Sequence, residues 1–129
     1  MIELIILDSS VLVAYFNTKD ELHEKSLEFL EKTKKEQDKV VVPAQVIFEI
    51  SAVLKRLGAA QVETAKFCEE LTKSSEVQPT TVQALDKALA LFKTNKKLSL
   101  TDSFLVVLSG ELNARIATFD QELLKAAGR

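Results

Sequence analysis

Four consecutive apolar residues, Leu4–Leu7, end abruptly at Asp8. A run this short and this uniformly apolar reads as a β-strand buried on both faces rather than one with a wet side. Such a strand needs a sheet covered above and below. Val40-Val41-Val42 is a second, β-branched run, Glu76–Gln78 a short third, and Arg115–Thr118 a last one. Helical periodicity fills the intervals between them. Strands alternating with helices imply a parallel sheet joined by right-handed crossovers. The expected fold class is α/β, a three-layer α/β/α arrangement around a central parallel sheet of four to five short strands. Residues 1–129 are expected to form one domain, a length ordinary for a single core.

The helices carry their own punctuation. Ser9-Ser10 opens a short apolar helix to about Phe16. Asp20–Glu36 places Leu22, Leu27 and Leu30 at helical spacing among charges. Pro43 suits the first turn of a helix that stops at Gly58. A further helix spans roughly Ala60–Lys73. Thr80 with Gln83 resembles a capping box for a helix to about Asn95. Leu100–Leu112 reads as a largely apolar, buried helix, and a small one begins at Gln121.

Cys68 is the sole cysteine, which excludes an intrachain disulfide and a cysteine-based metal cluster. The Leu4–Leu7 run is far too short for a signal segment or a membrane span, so a soluble, cytoplasmic protein without a membrane role is expected. The net charge of −2 looks adverse to a polyanionic partner. Distribution matters more than the sum. If four carboxylates are neutralised by bound cations, 17 basic groups face 15 acidic ones. Basic residues cluster at Lys32/Lys34/Lys35, at Lys55/Arg56 and at Lys93/Lys96/Lys97. Each cluster also has a plain reading as a solvated helix end that complements the helix dipole.

Four acids stand out by position. Asp8 and Asp120 lie at or just beyond the carboxyl ends of apolar strands, the edge at which ligand crevices form in open α/β sheets. Glu49 and Asp102 sit on mostly apolar helices. Each has a local alternative. Asp8 and Asp120 suit helix N-caps. Asp102, three residues after Ser99, suits a capping-box variant. Glu49 lies on the flank of an apolar stripe of Val46, Ile50, Val53 and Leu57, where a desolvated carboxylate needs a partner, and Arg56 is available two turns on. Several carboxylates meeting at one crevice repel unless protons or a cation neutralise them. An all-oxygen set favours hard ions such as Mg2+ or Mn2+ over Zn2+.

Three segments, ILDSSVLVAYF, PAQVIFEISAVLKR and LSLTDSFLVVLSGELNARIATFDQELLK, resemble in order and spacing those of the PIN domain family, and among them the VapC-type toxin endoribonucleases. The resemblance covers nearly the whole chain. It implies a PIN-like parallel sheet with acidic residues at its carboxyl edge, and Mg2+- or Mn2+-dependent hydrolysis of RNA by a metal-activated water. By position, Asp8, Glu49, Asp102 and Asp120 match the family's acidic site, serving as catalytic and metal-binding residues. Ser10 and Thr118 match its supporting hydroxyls, which alternatively serve local capping and turns. Lys55, Arg56, Lys93, Lys96 and Lys97 are candidates to orient the RNA backbone. VapC-type proteins resemble binders of an amphipathic antitoxin segment, and an apolar groove between about Leu22 and Leu71 is the candidate seat. Family members commonly form homodimers. The alternatives are a stand-alone RNA-processing nuclease and a non-catalytic PIN-like module that binds RNA or protein. A haloacid-dehalogenase-like phosphatase needs a second Asp where Ser10 stands. Ser9 and Ser10 lack a histidine partner for serine hydrolysis, and His23, the lone histidine, is read as structural.

Overall fold

The structure, a computed structural model, describes residues 2–128. In chain order the elements are β1 (Leu4–Leu7), α1 (Ser9–Phe16), α2 (His23–Lys35), β2 (Lys39–Pro43), α3 (Ala44–Arg56), α4 (Gln61–Ser74), β3 (Glu76–Gln78), α5 (Val82–Thr94), α6 (Leu100–Leu112), β4 (Arg115–Ala117) and α7 (Gln121–Ala127). The four strands form one parallel sheet in the order β3-β2-β1-β4. This is the expected α/β/α fold. Leu4–Leu7 is the central strand, paired through Ile6 with Val41 on one side and Ile116 on the other. Ile5, Ile6 and Leu7 are all buried, as a strand covered on both faces must be.

The strand order explains the layers. The chain moves in one direction from β1 through β2 to β3, and right-handed crossovers then put α1–α4 on one face. From β3 it crosses back to β4 on the far side of β1, which puts α5 and α6 on the other face. The contacts agree, with α1 against α2 and α3, α3 against α4, and α6 against α5 and α7. The direction therefore reverses between β1 and β4. Crevices open at the carboxyl ends of strands at such a switch point.

Several local expectations shift. Pro43 ends β2 and occupies the N-cap of α3, with an extended ψ of 141°, instead of lying inside the helix. Thr81, not Thr80, caps α5 by accepting Ala84 N–H, because the Thr80 hydroxyl donates to Gln45 on α3. α2 begins at His23, after a turn in which Asp20 accepts the Leu22 N–H. Its fully buried side chains are Ser26 and Thr33, whose hydroxyls donate to His23 and Phe29 carbonyls of their own helix. α3 stops at Gly58 as expected, in a left-handed conformation with φ 85°. The Ala59 and Gly58 N–H groups return to Leu54 and Lys55 carbonyls. α2 ends the same way, with Gln37 in the glycine's seat at φ 58°.

Candidate functional site

Asp8 follows β1 directly, and its N–H donates to Ala117 O at 3.0 Å, extending the β1–β4 ladder by one bond. It holds the N-cap position of α1, yet its side chain makes no capping bond. Instead Oδ2 accepts the Ser10 hydroxyl at 2.9 Å and the Thr118 hydroxyl at 2.5 Å. Each hydroxyl has one proton, so both are committed to Asp8. The 3.2 Å approach of Ser10 to Thr118 is then a contact between neighbours. The two oxygens work in the other direction as acceptors. Ser10 Oγ receives Phe119 N–H, and Thr118 Oγ1 receives Asp120 N–H. Two hydroxyls, one from each side of the switch point, thus lock a carboxylate that is only 5% exposed.

Asp120 is the N-cap of α7, its Oδ1 accepting Glu122 and Leu123 N–H. Asp102 closes a capping box with Ser99 at the start of α6. The local capping roles of these two acids are therefore real, and each occupies one carboxylate oxygen. Glu49, in the second turn of α3, makes no ion pair with Arg56 among the described residues. Its Oε1 accepts the hydroxyl of Ser9 at the start of α1. The four acids share a pattern: one oxygen is held by an internal hydrogen bond, and the other receives none among the described residues. For Asp8 this second oxygen is not fully buried. The only buried side-chain polar atom without a partner among the described residues is Thr64 Oγ1.

Electrostatics ties three of the acids together. Burial holds the Asp102 carboxyl above the ordinary aspartate range. Hydrogen bonding to Ser99 opposes this, and the charges of Asp8 and Asp120 add to it. Asp8 and Asp120 are thus each within electrostatic reach of Asp102. The expected convergence of all four into one close cage is not seen. Among the described residues no group of three or more His, Cys, Asp or Glu side chains is gathered tightly enough to enclose a metal ion. The donor chemistry nonetheless fits a hard divalent cation. All candidate donors are carboxylate oxygens, the charges of Asp8 and Asp120 act on Asp102, and ions such as Mg2+ keep most of their waters and need only one or two carboxylates from the protein.

The basic candidates divide. Lys55 and Arg56 occupy the last turn of α3, roughly 10 Å of helix rise beyond Glu49. Lys93 is in the last turn of α5, and Lys32, Lys34 and Lys35 are in that of α2, which matches the plain helix-end reading. Lys96 and Lys97 lie in the loop leading to Ser99 and α6. Lys97 pairs with Glu122 at 3.8 Å, beside the Asp120 cap, so this loop borders the acidic edge. His23 Nδ1 lies 2.8 Å from Ala14 O, a tie between α1 and α2. Ser9 is the residue that the sequence did not single out for the site. A bond to a partner 40 positions away leaves no local signature.

The family model of the PIN domain matches residues 5–129. The chain belongs to the PIN domain family. No curated protein sequence matches it. Solved PIN-like structures do. VapC20 of Mycobacterium tuberculosis, described as a toxin that cleaves the sarcin-ricin loop, superimposes with a TM-score of 0.83 at 18% identity, covering 95% of this chain and 94% of that one. PAE2754 of Pyrobaculum aerophilum gives 0.68 at 20% identity, over 97% and 79% of the two chains. VapBC2 of Rickettsia felis, solved bound to a promoter DNA fragment, gives 0.68 at 13% identity, over 95% and 91%. At these identities the likeness is one of fold. Among the described residues of this PIN domain, no helix is long and apolar enough to cross a membrane.

Proposed function

We propose that this PIN domain is a Mg2+- or Mn2+-dependent endoribonuclease and the toxin of a toxin–antitoxin pair. The observation that carries the reading is the acidic edge at the switch point. There the charges of Asp8 and Asp120 act on Asp102, and each of the three has one oxygen fixed and one uncommitted. Asp8, Asp102 and Glu49 would supply the principal ligands, partly through water, and Asp120 joins them directly or through water. When bound, a divalent ion lowers the pKa of a water and polarises a phosphoryl oxygen. Ser10 and Thr118 hold Asp8 in one orientation for that purpose. Lys96 and Lys97, in the loop beside the acidic edge, are the best placed cations to orient an RNA backbone. Lys55, Arg56 and Lys93 would engage it only farther along the strand.

Support for the toxin role is structural. An apolar groove of about 670 Å3 runs beneath α2 and α4, lined by Leu7, Leu12, Tyr15, Leu30, Phe67 and Leu71, and it suits an amphipathic antitoxin segment. Two of the three neighbours described above are named as VapC or VapBC proteins. A homodimer is supported by α5, where Val82, Leu85, Leu89 and Phe92 leave an apolar stripe exposed. A single thiol suits a reducing compartment, and we place the protein in the cytoplasm.

The test is RNA cleavage with Mn2+ and an EDTA control, comparing the natural chain with Asp8→Asn. Cleavage that EDTA abolishes and that the folded variant lacks supports the nuclease. RNA binding without cleavage in Mn2+ would turn the reading to a non-catalytic module. Mapping new RNA 5′ ends after expression of the chain alone would separate a toxin from a stand-alone processing nuclease.

A further inference from the structure

The tripeptide Asp8-Ser9-Ser10 does more than present one carboxylate. Ser10 points its hydroxyl to Asp8, toward β4 and Thr118. Ser9 donates in another direction, across to Glu49 Oε1 on α3. Glu49 has three rotatable side-chain bonds and faces a surface it only half covers. Without a partner it loses little by swinging into water. The Ser9 bond opposes this. It is not a by-product of helix initiation, because Asp8, not Ser9, holds the N-cap of α1, and the Ser9 hydroxyl is spent on a different helix. The bond engages one oxygen of Glu49 and leaves Oε2 without a hydrogen bond among the described residues, the same division seen at Asp8, Asp102 and Asp120.

Resting on the metal-site reading above, we propose that Ser9, the neighbour of Asp8 in the chain, is a positioning residue, which fixes the Glu49 carboxylate so that its second oxygen is presented to a divalent cation. Ser9 itself touches neither the ion nor the RNA. It acts through Glu49 alone. Groups that orient a metal ligand from behind are worth about ten- to a hundredfold in metal affinity.

Mn2+ binding to the intact chain, measured by calorimetry without RNA, reads this directly, with thermal unfolding as a parallel measure of stability. Ser9→Ala should weaken Mn2+ binding by about ten- to a hundredfold. Ser9→Thr, which keeps the hydroxyl, should bind close to the natural chain. In a Glu49→Gln background the Ser9→Ala change should add almost nothing, since the two act as one unit. If Ser9→Ala lowers the unfolding temperature but leaves Mn2+ affinity unchanged, Ser9 is only a tie between α1 and α3 and the proposal falls alone. If the natural chain shows no saturable Mn2+ binding at all, the metal-site reading fails and takes this one with it.

Discussion

Replacing Thr118 with valine isolates the bond that joins the two ends of the chain. Valine matches threonine in shape, so the change removes a hydroxyl without opening a cavity. Asp8 Oδ2 would lose the shorter of its two hydroxyl donors, at 2.5 Å, and keep Ser10 at 2.9 Å. Because Asp8 is 5% exposed, water cannot fully take the place of the lost donor. A hydrogen bond to a charged group contributes about 1.5–3 kcal/mol. The Asp120 N–H also loses its acceptor, but Asp120 is exposed and water replaces Thr118 there at little cost. The expected loss is about 2 kcal/mol. For a chain of 129 residues, an unfolding entropy of about 2.1 cal/mol/K per residue converts this to a fall of about 7 °C in Tm. Thermal and urea unfolding followed by circular dichroism, without divalent metal at neutral pH, measures it. Thr118→Ser, which keeps the hydroxyl, should recover most of the loss. A Thr118→Val protein within about 0.5 kcal/mol of the natural chain would refute the reasoning, since Ser10 alone would then suffice to hold Asp8.

Other consequences are open to the same instruments. Asp102→Asn should stabilise the protein at neutral pH while removing activity, a trade common at functional sites. The sign follows from the raised carboxyl, whose contribution to stability is full below the ordinary aspartate pKa and lost as pH rises through the folded value. The variant's advantage in Tm should therefore grow across that window, and an advantage independent of pH would contradict it. Gln37→Gly should stabilise by about 1 kcal/mol or less, because the left-handed seat costs a non-glycine residue about 1–2 kcal/mol and the added freedom of the unfolded chain returns part of that. Urea unfolding decides, and destabilisation would count against it. Phe92→Glu, on the exposed stripe of α5, should shift sedimentation from dimer to monomer with unchanged far-ultraviolet circular dichroism, and an unaltered sedimentation profile would remove α5 from the interface.

What the sequence disclosed was what local chemistry governs. Leu4–Leu7 announced a doubly covered strand, Gly58 a helix end, and Ser99 with Asp102 a capping box, and the structure contains all three. Distant partners were not legible. Thr80 looked like the cap of α5 because nothing nearby reveals that its hydroxyl is engaged by Gln45, 35 positions earlier. On α2, the apolar spacing of Leu22, Leu27 and Leu30 suggested the inward face, whereas the fully buried positions are Ser26 and Thr33. Hydroxyls that bond to their own helix carbonyls cost little to bury, and the leucines are left half-covered, Leu30 lining the groove. At the site, the acids were visible one by one. That the charges of Asp8 and Asp120 act on Asp102 depends on how β1, α6 and β4 assemble, and the tether of Glu49 to Ser9 depends on how α1 and α3 pack.

The β1–β4 pairing also fixes when, in the making of the molecule, its site can exist. Asp8 leaves a ribosome before Thr118, which follows 110 positions later. Until that last strand emerges, the central strand lacks a neighbour and Asp8 lacks its closest donor. All of α1 to α6 is synthesised before the acidic edge is assembled.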